Sequence, residues 1–414
     1  SERAERGVLR AELIDTAWRL FADTAPASIS TRDLAQAAGC SHGMVTRYFG
    51  GRAGLEMAVA QRLAGVLEIA TIRTTAEAEW PFAALIDEWR QHPRVGRLLV
   101  RTALRDLPQE PLLEAVSIGV RLVAQIESHR GGRASRPTLR SRVAAYAALC
   151  GLLGLYTLDG FLTWSTRTDS LMQHERDVVS ARALELICEL VADTTFPLRI
   201  PHQRTAPKIP EPATPHGTRH GGEAIRRALV DAAADLFAHR GPSAVSTREI
   251  ANAAGVQHGL IHRYFGTKER LLLAVLESDI NPMIAASSGG AQFDIPTVVR
   301  NQRHAVGGWI YARILADGGD IRLARPDNPL FRAVLSRFPN LPEGAGSPDL
   351  RNPRLALHAA AAVVMGSSIW DATARRLVGL PEDERLDIDA ALIPVALHLL
   401  SLPLGSGQSV ESPT

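Results

Sequence analysis

The chain has 414 residues, 46% hydrophobic and 22% charged, with a formal net charge of +2. That balance supports several globular domains and excludes a mostly disordered, collagen-like or low-complexity chain. Three cysteines, Cys40, Cys150 and Cys188, are too sparse and odd a set for a disulfide framework, which points to a reducing compartment.

The first fifteen residues, SERAERGVLRAELID, are charged and hold no apolar signal core, so a cytoplasmic location is expected. Leu13, Ala17, Leu20 and Phe21 stand at i, i+4, i+7 and i+8, the spacing of a helix with one apolar face. Ser30-Thr31-Arg32-Asp33 has the S/T-x-x-D/E form of a helix start, and a two-turn helix is predicted over 33–38. Gly39 ends it, as glycine does where the backbone needs positive φ. A second short helix is predicted from about His42 to Phe49. Its Val45 and Phe49 face inward, while His42, Gly43, Thr46 and Arg47 share the other face. Between residues 41 and 52 the charges are Arg47 and Arg52, with no carboxylate. Helix, glycine turn, helix is the helix-turn-helix arrangement, and a donor-rich face without acid suits a groove-reading helix.

Further along, Trp80, Phe82, Trp89, Tyr156, Phe161 and Trp164 are candidate walls of a small-molecule site, with Arg101, Arg105 and Asp106 as polar groups. These three read more simply as a surface ion-pair cluster. Val143–Leu158 is apolar nearly all round and ends at Asp159, shorter than the roughly 20 residues of a membrane span. It is read as a buried helix, and no membrane association is expected. Cys150 and Cys188 read as core, and Cys40 as a small apolar turn residue. Residues 197–222 contain six prolines and read as an extended linker, at about 3.1 Å per residue.

After the linker the chain repeats itself. Residues 229–271 align without gaps to 13–55 and are identical at 21 of 43 positions. Gln257, His258, Gly259, Leu260, His262 and Arg263 stand where Ser41, His42, Gly43, Met44, Thr46 and Arg47 stand in the first copy. Farther on, Gly154 and Asp159 echo Gly366 and Asp371 within two Ala-rich helical stretches. Trp309, Tyr311, Phe331, Phe338 and Trp370 are the second half's candidate pocket aromatics, and the tail from 405 reads as disordered.

Both blocks resemble the DNA-binding domain of the TetR family of bacterial transcriptional regulators. Leu20-Phe21, Thr31, Leu34-Ala35, Ala38-Gly39-Cys40, Gly43, Val45, Tyr48-Phe49, Arg52 and Leu55 carry the pattern in the first copy. In the second it is carried by Leu236-Phe237, Thr247, Ile250-Ala251, Ala254-Gly255-Val256, Gly259, Ile261, Tyr264-Phe265, Lys268 and Leu271. The family's frequent recognition-helix Tyr, a phosphate contact, is Thr46 here and His262 in the second copy.

The resemblance implies an all-α tandem protein. Each half pairs a three-helix helix-turn-helix domain (8–56 and 223–272) with a helical ligand-binding and dimerisation domain (57–196 and 273–404). The two halves are expected to form an intramolecular pseudo-dimer, with further homodimerisation open. Its interface candidates are 139–165 with 175–194 and 353–376 with 386–402. The implied partners are a double-stranded DNA operator and a largely apolar small-molecule effector. Expected DNA contacts are Thr31, Ser41, His42, Gly43, Met44, Thr46, Arg47, Tyr48 and Arg52, with Thr247, Gln257, His258, Gly259, Leu260, His262, Arg263, Tyr264 and Lys268. Expected effector contacts are Trp89, Arg105, Tyr156, Trp164, Trp309, Phe331 and Trp370. The unequal recognition helices predict an asymmetric or imperfectly palindromic operator, and the resemblance implies a repressor released by its ligand. The alternative is a ligand-binding or interaction protein whose heads have lost DNA binding. No catalytic motif, cofactor or metal site is expected.

Overall fold

In a computed structural model the structure describes residues 2–77, 80–130, 137–193, 195–196, 222–288, 294–320, 328–338, 348–381 and 387–404. The predicted linker, up to Gly221, and the tail from Gly405 lie outside the described residues. Every regular element among the described residues is helical.

The first head consists of α1 (Glu2–Asp23), α2 (Thr31–Ala37) and α3 (Gly43–Phe49). Its core is the apolar face read from the sequence: Leu13, Ala17, Phe21, Leu34 and Val45 are fully buried. Ser30 begins α2 with a capping box: its Oγ accepts from Asp33 N at 3.2 Å, and its own N–H donates to Asp33 Oδ2 at 2.8 Å. Those hydrogen bonds hold the Asp33 carboxyl below its usual range. Gly39 ends α2 at φ 67°, where a Cβ is disfavoured. The head then continues into α4 (Arg52–Glu77), which runs down into the body.

The first body adds α5 (Phe82–Gln91), α6 (Pro93–Ala103), α7 (Glu110–Ala115), α8 (Ile118–His129), α9 (Leu139–Thr166) and α10 (Gln173–Ala192). The second head is α11 (Gly222–Arg240), α12 (Thr247–Ala253) and α13 (Gly259–Phe265). The second body is α14 (Lys268–Ser288), α15 (Ile295–His304), α16 (Gly307–Ala316), α17 (Pro329–Leu335), α18 (Pro353–Val378) and α19 (Ile388–Ser401).

The apolar stretch at Val143 belongs to a 28-residue helix, longer than the stretch itself, and α18 has 26 residues. Both are long and apolar enough to cross a membrane, yet 83% of each apolar window is buried inside the fold. They are core helices, and they pack on each other. At their crossing the backbones nearly touch. A Cβ on Gly366 would overlap Cys150 O and lie 2.9 Å from Gly154 Cα, and a Cβ on Gly154 would overlap Ala362 O in the same way.

The contacts around this crossing recur in both directions. Arg142 Nη1 donates to Val378 O at 3.3 Å, and Arg354 Nη1 donates to Thr166 O at 3.3 Å. Arg101 donates to Ala316 O at 2.9 Å and pairs with Asp317 at 2.7 Å. In return, Arg313 donates to Leu104 O at 2.6 Å and pairs with Asp106. Gly154 and Gly366, Arg142 and Arg354, Arg101 and Arg313 are each 212 residues apart. A seam in which equivalent groups meet reciprocally has the pattern of a two-fold interface.

This corrects the surface reading of the Arg101 cluster. Arg101 is fully buried and joins the two halves, while Arg105 sits exposed at φ 61° in the turn after α6. Within each half a second triad repeats. Arg90 pairs with Asp159 at 3.0 Å and Asp177 at 3.2 Å. Arg303 pairs with Asp371 at 3.4 Å and with Asp389.

One seam position is unequal. Tyr146 donates to Asp371 Oδ1 at 2.6 Å, whereas its counterpart is His358, buried near Thr166 Oγ1 at 3.4 Å. Burial lowers the His358 pKa from 6.5 to about 4.

Gly366→Ala should destabilise the chain by about 3 kcal/mol, because backbone rather than a movable side chain blocks the new methyl. Gly65→Ala, with nothing within 4 Å of the new atom inside α4, should instead stabilise by up to about 1 kcal/mol, and denaturant unfolding separates the two. His358 is neutral in the fold down to about pH 4 but takes up a proton near pH 6.5 when unfolded. Its stabilisation is therefore present above that value and is lost as pH falls. Between about pH 7 and pH 5 the wild type should lose about 2 kcal/mol more than His358→Gln in paired unfolding curves.

Candidate nucleic-acid interface

Each head presents its third helix outward. In α3, Val45 is buried, while Ser41, His42, Gly43, Thr46 and Arg47 are exposed and Met44 and Tyr48 half-buried. In α13, Ile261 and Phe265 are buried, Gln257, His258, Gly259, His262 and Arg263 are exposed, and Leu260 and Tyr264 are half-buried. The helices start at Gly43 and Gly259, one residue later than the sequence expectation. Both glycines have open space where a Cβ would stand, so a ligand backbone could approach closely.

Thr31 and Thr247 occupy the first turns of α2 and α12, behind the capping residues Ser30 and Ser246. Arg32 and Arg248 follow them, exposed in both heads and absent from the sequence-level candidates. Their signal was the Thr-Arg pair repeated at the same position of the two copies. The acids beside them are occupied locally. Glu249 is pulled down to about 2 by the Ser246 N–H and by Arg240, whose Nη1 lies 2.7 Å from it.

The two heads are not identical in detail. His258 Nε2 lies 2.9 Å from Thr247 Oγ1, which ties the start of α13 to α12. His262 Nδ1 lies 2.7 Å from Gly266 O. A carbonyl can only accept, so that nitrogen carries the hydrogen, and Nε2 is the ring atom left for an external contact. In the first head the same position is Thr46, a shorter hydroxyl.

Arg52 and Lys268, expected as DNA contacts, are engaged inside their own heads. The Arg52 guanidinium donates to Pro26 O and Ile29 O and pairs with Glu56 at 2.7 Å. Lys268 Nζ donates to Pro242 O at 2.8 Å and to Val245 O at 3.1 Å. Each cation thus satisfies the carbonyls of the loop before the second helix of its head. Sequence reading missed this because charge and position say nothing about which carbonyls lie across a fold.

The expected effector residues separate into several places. Tyr156 OH donates to Trp89 O at 2.6 Å, and the two rings meet edge to face at 5.2 Å, an internal packing pair. Trp370 is 1% exposed and donates to Thr157 Oγ1 at 3.0 Å across the seam, so it is an interface residue. Trp164 and Trp309 are half-buried, Trp164 resting 6.0 Å from Phe161. Phe331 lines an open apolar cleft in the second half, with Val299, Leu330, Val364, Met365 and Leu400. Cys150 and Cys188 are buried, and burial pushes the Cys40 thiol up, away from a reactive thiolate.

Each head is tied to the seam. Arg97 on α6 pairs with Asp23 at the end of α1 at 2.8 Å. In the second half Ser243, in the loop after α11, donates to Asp317 Oδ2 at 2.8 Å, the same carboxylate that holds Arg101.

Residues 13–59 and 229–275 both match the family described as bacterial regulatory proteins, tetR family. Over 181 residues, 42% of this chain and 89% of the relative, the chain is 34% identical to the HTH-type transcriptional repressor Rv3405c of Mycobacterium tuberculosis. The HTH-type transcriptional regulator Mb3439c of Mycobacterium bovis matches to the same extent, 34% over 181 residues, 42% of this chain and 89% of the relative. The HTH-type transcriptional regulator BetI of Rhizobium meliloti is 51% identical over 59 residues, 14% of this chain and 29% of the relative. With the family match at both exposed helix-turn-helix heads and a relative matched over most of its length by less than half of this chain, the protein belongs to the TetR family of HTH-type transcriptional regulators and carries the family's head twice.

Proposed function

We propose that one chain acts as an intramolecular pseudo-dimer: a cytoplasmic, non-enzymatic repressor that grips an operator with two unequal heads and releases it when a small molecule binds. The observation that carries this reading is the pairing of two outward recognition helices with a reciprocal seam. A pseudo-two-fold body can hold two heads for successive major grooves, about 34–36 Å apart on one duplex face.

Arg47 and Arg263 are the proposed base or phosphate contacts, since guanidinium binds guanine or phosphate bidentately. His42, Thr46 and Tyr48, with His258, His262 and Tyr264, complete the two faces, and Arg32 and Arg248 add phosphate contacts beside Thr31 and Thr247. Ser41 and Met44 against Gln257 and Leu260 would give the half-sites their difference. The effector site is the apolar cleft at Phe331. It lies against α15, α17, α18 and α19, so its occupancy bears on the seam helix α18. A ligand shifts head spacing only through unequal affinity for the two arrangements.

Selection of duplexes from a random pool at near-physiological salt tests the assignment. Two related but unequal half-sites about one helical turn apart are expected, and Gln257→Ser should alter preference in one of them. A perfect palindrome would mean that identical heads from two chains pair. Failure of folded protein to enrich any sequence would favour the interaction-protein alternative. A second comparison separates contact from support. Arg263→Ala should weaken binding and lower its salt dependence while leaving unfolding nearly unchanged. Lys268→Met should instead cost the second head about 1–3 kcal/mol in stability by stripping two carbonyls of their donor.

A further inference from the structure

Resting on the effector-cleft reading above, we infer that the second-half cleft takes an organic cation, an apolar body with an ammonium-type head that pairs with Asp279. The apolar part is the cleft at Phe331, where side chains from α15, α17, α18 and α19 supply almost no polar surface. It adjoins a second hollow that shares Gln302, Leu330 and Phe331 with it. Asp279, on α14, lines that second hollow.

Asp279 is placed unlike an ordinary structural acid. Its Oδ2 accepts from Gly307 N at 2.6 Å, at the start of α16, and no cation pairs with it among the described residues. Burial pushes its carboxyl up to about 6, opposed only by that hydrogen bond. Near neutral pH the group is still largely ionised, so it is a mostly buried anion without a counter-charge. Three other half-buried carboxylates of the body meet arginines instead: Asp106 meets Arg313, Asp159 meets Arg90, and Asp389 meets Arg303.

The duplication adds an independent argument. In the gapless register of the heads and the helices that follow them, Asp279 stands opposite Leu63, which is 1% exposed in the core of the first half. The shared fold therefore tolerates an apolar residue at this position, and the acid serves something confined to the second half. The consequence for the heads is direct. Asp279 joins α14, which continues from the second recognition helix, to α16, which carries Arg313 of the seam. A cation competing for this carboxylate acts on the joint between head and seam.

The test titrates n-octylammonium, n-octanol and octanoate into the full-length protein by calorimetry near neutral pH. A charged hydrogen-bonded pair predicts n-octylammonium binding at least about 10-fold tighter than n-octanol, with octanoate weakest. Asp279→Asn keeps an acceptor for Gly307 N, and Asp279→Leu copies the first half. In either, the cation preference should fall to within about threefold while n-octanol still binds. Val364→Phe, which fills the apolar part, should weaken all three probes together. Equal binding of amine and alcohol by the wild type, or a preference surviving both Asp279 variants, would overturn the cation assignment while leaving the apolar effector cleft standing. Binding of none of the probes by folded protein would overturn the cleft reading and this inference with it.

Discussion

The body depends on one close approach, the backbone of α9 against that of α18 at Gly154 and Gly366. Neither glycine can carry a methyl without displacing a main-chain oxygen of the other half. Because the helices come so close, their flanks bring Arg142 to Val378 O and Arg354 to Thr166 O, and α6 faces α16 through Arg101 and Arg313. Those last two helices rest against α1 and α11, so the crossing fixes where the heads stand.

Four charges then occupy the seam, two buried guanidiniums and two half-buried carboxylates. Burying an ion pair is no free gain, since desolvation offsets much of the attraction. Here each guanidinium also donates to a helix-end carbonyl, Ala316 O or Leu104 O, that lacks a helical partner. The geometry admits one register of the two halves: a slide of either would leave both arginines buried without acceptors. An apolar seam of equal area would tolerate that slide. Repressor action of the proposed kind needs a fixed spacing with a discrete alternative, which such a lattice supplies better than a greasy contact.

The two halves have diverged while keeping this frame. Tyr146 and His358 are counterparts at the seam, but one donates to a carboxylate while the other is held neutral. Leu63 and Asp279 are counterparts on the helix below each head, one apolar and one acidic. On the outward face of the heads, Thr46 is replaced by His262 and Ser41 by Gln257. Divergence thus reaches buried seam and core positions as well as the exposed face, while the glycine crossing and the arginine pairs are kept.

The sequence by itself determined the helical class, the duplication and both helix-turn-helix heads. Those signals are local: the capping box at Ser30, the φ of Gly39 and the i, i+4 pairing of Val45 with Phe49 all lie within a few residues. It also exposed Gly154 and Gly366, since small residues repeated in apolar helices stand out. It could not show that Arg101 crosses to Asp317, or that Arg90 and Arg303 each gather two aspartates, because those partners lie 68–216 residues apart in unlike local sequence. Nor could it tell that Trp370 seals the seam while Phe331 lines a cleft, since an aromatic side chain reads the same in either setting. The tertiary structure decided these points, and with them the task of Arg52 and Lys268, because a charge takes its role from whichever carbonyl or carboxylate the fold sets within reach.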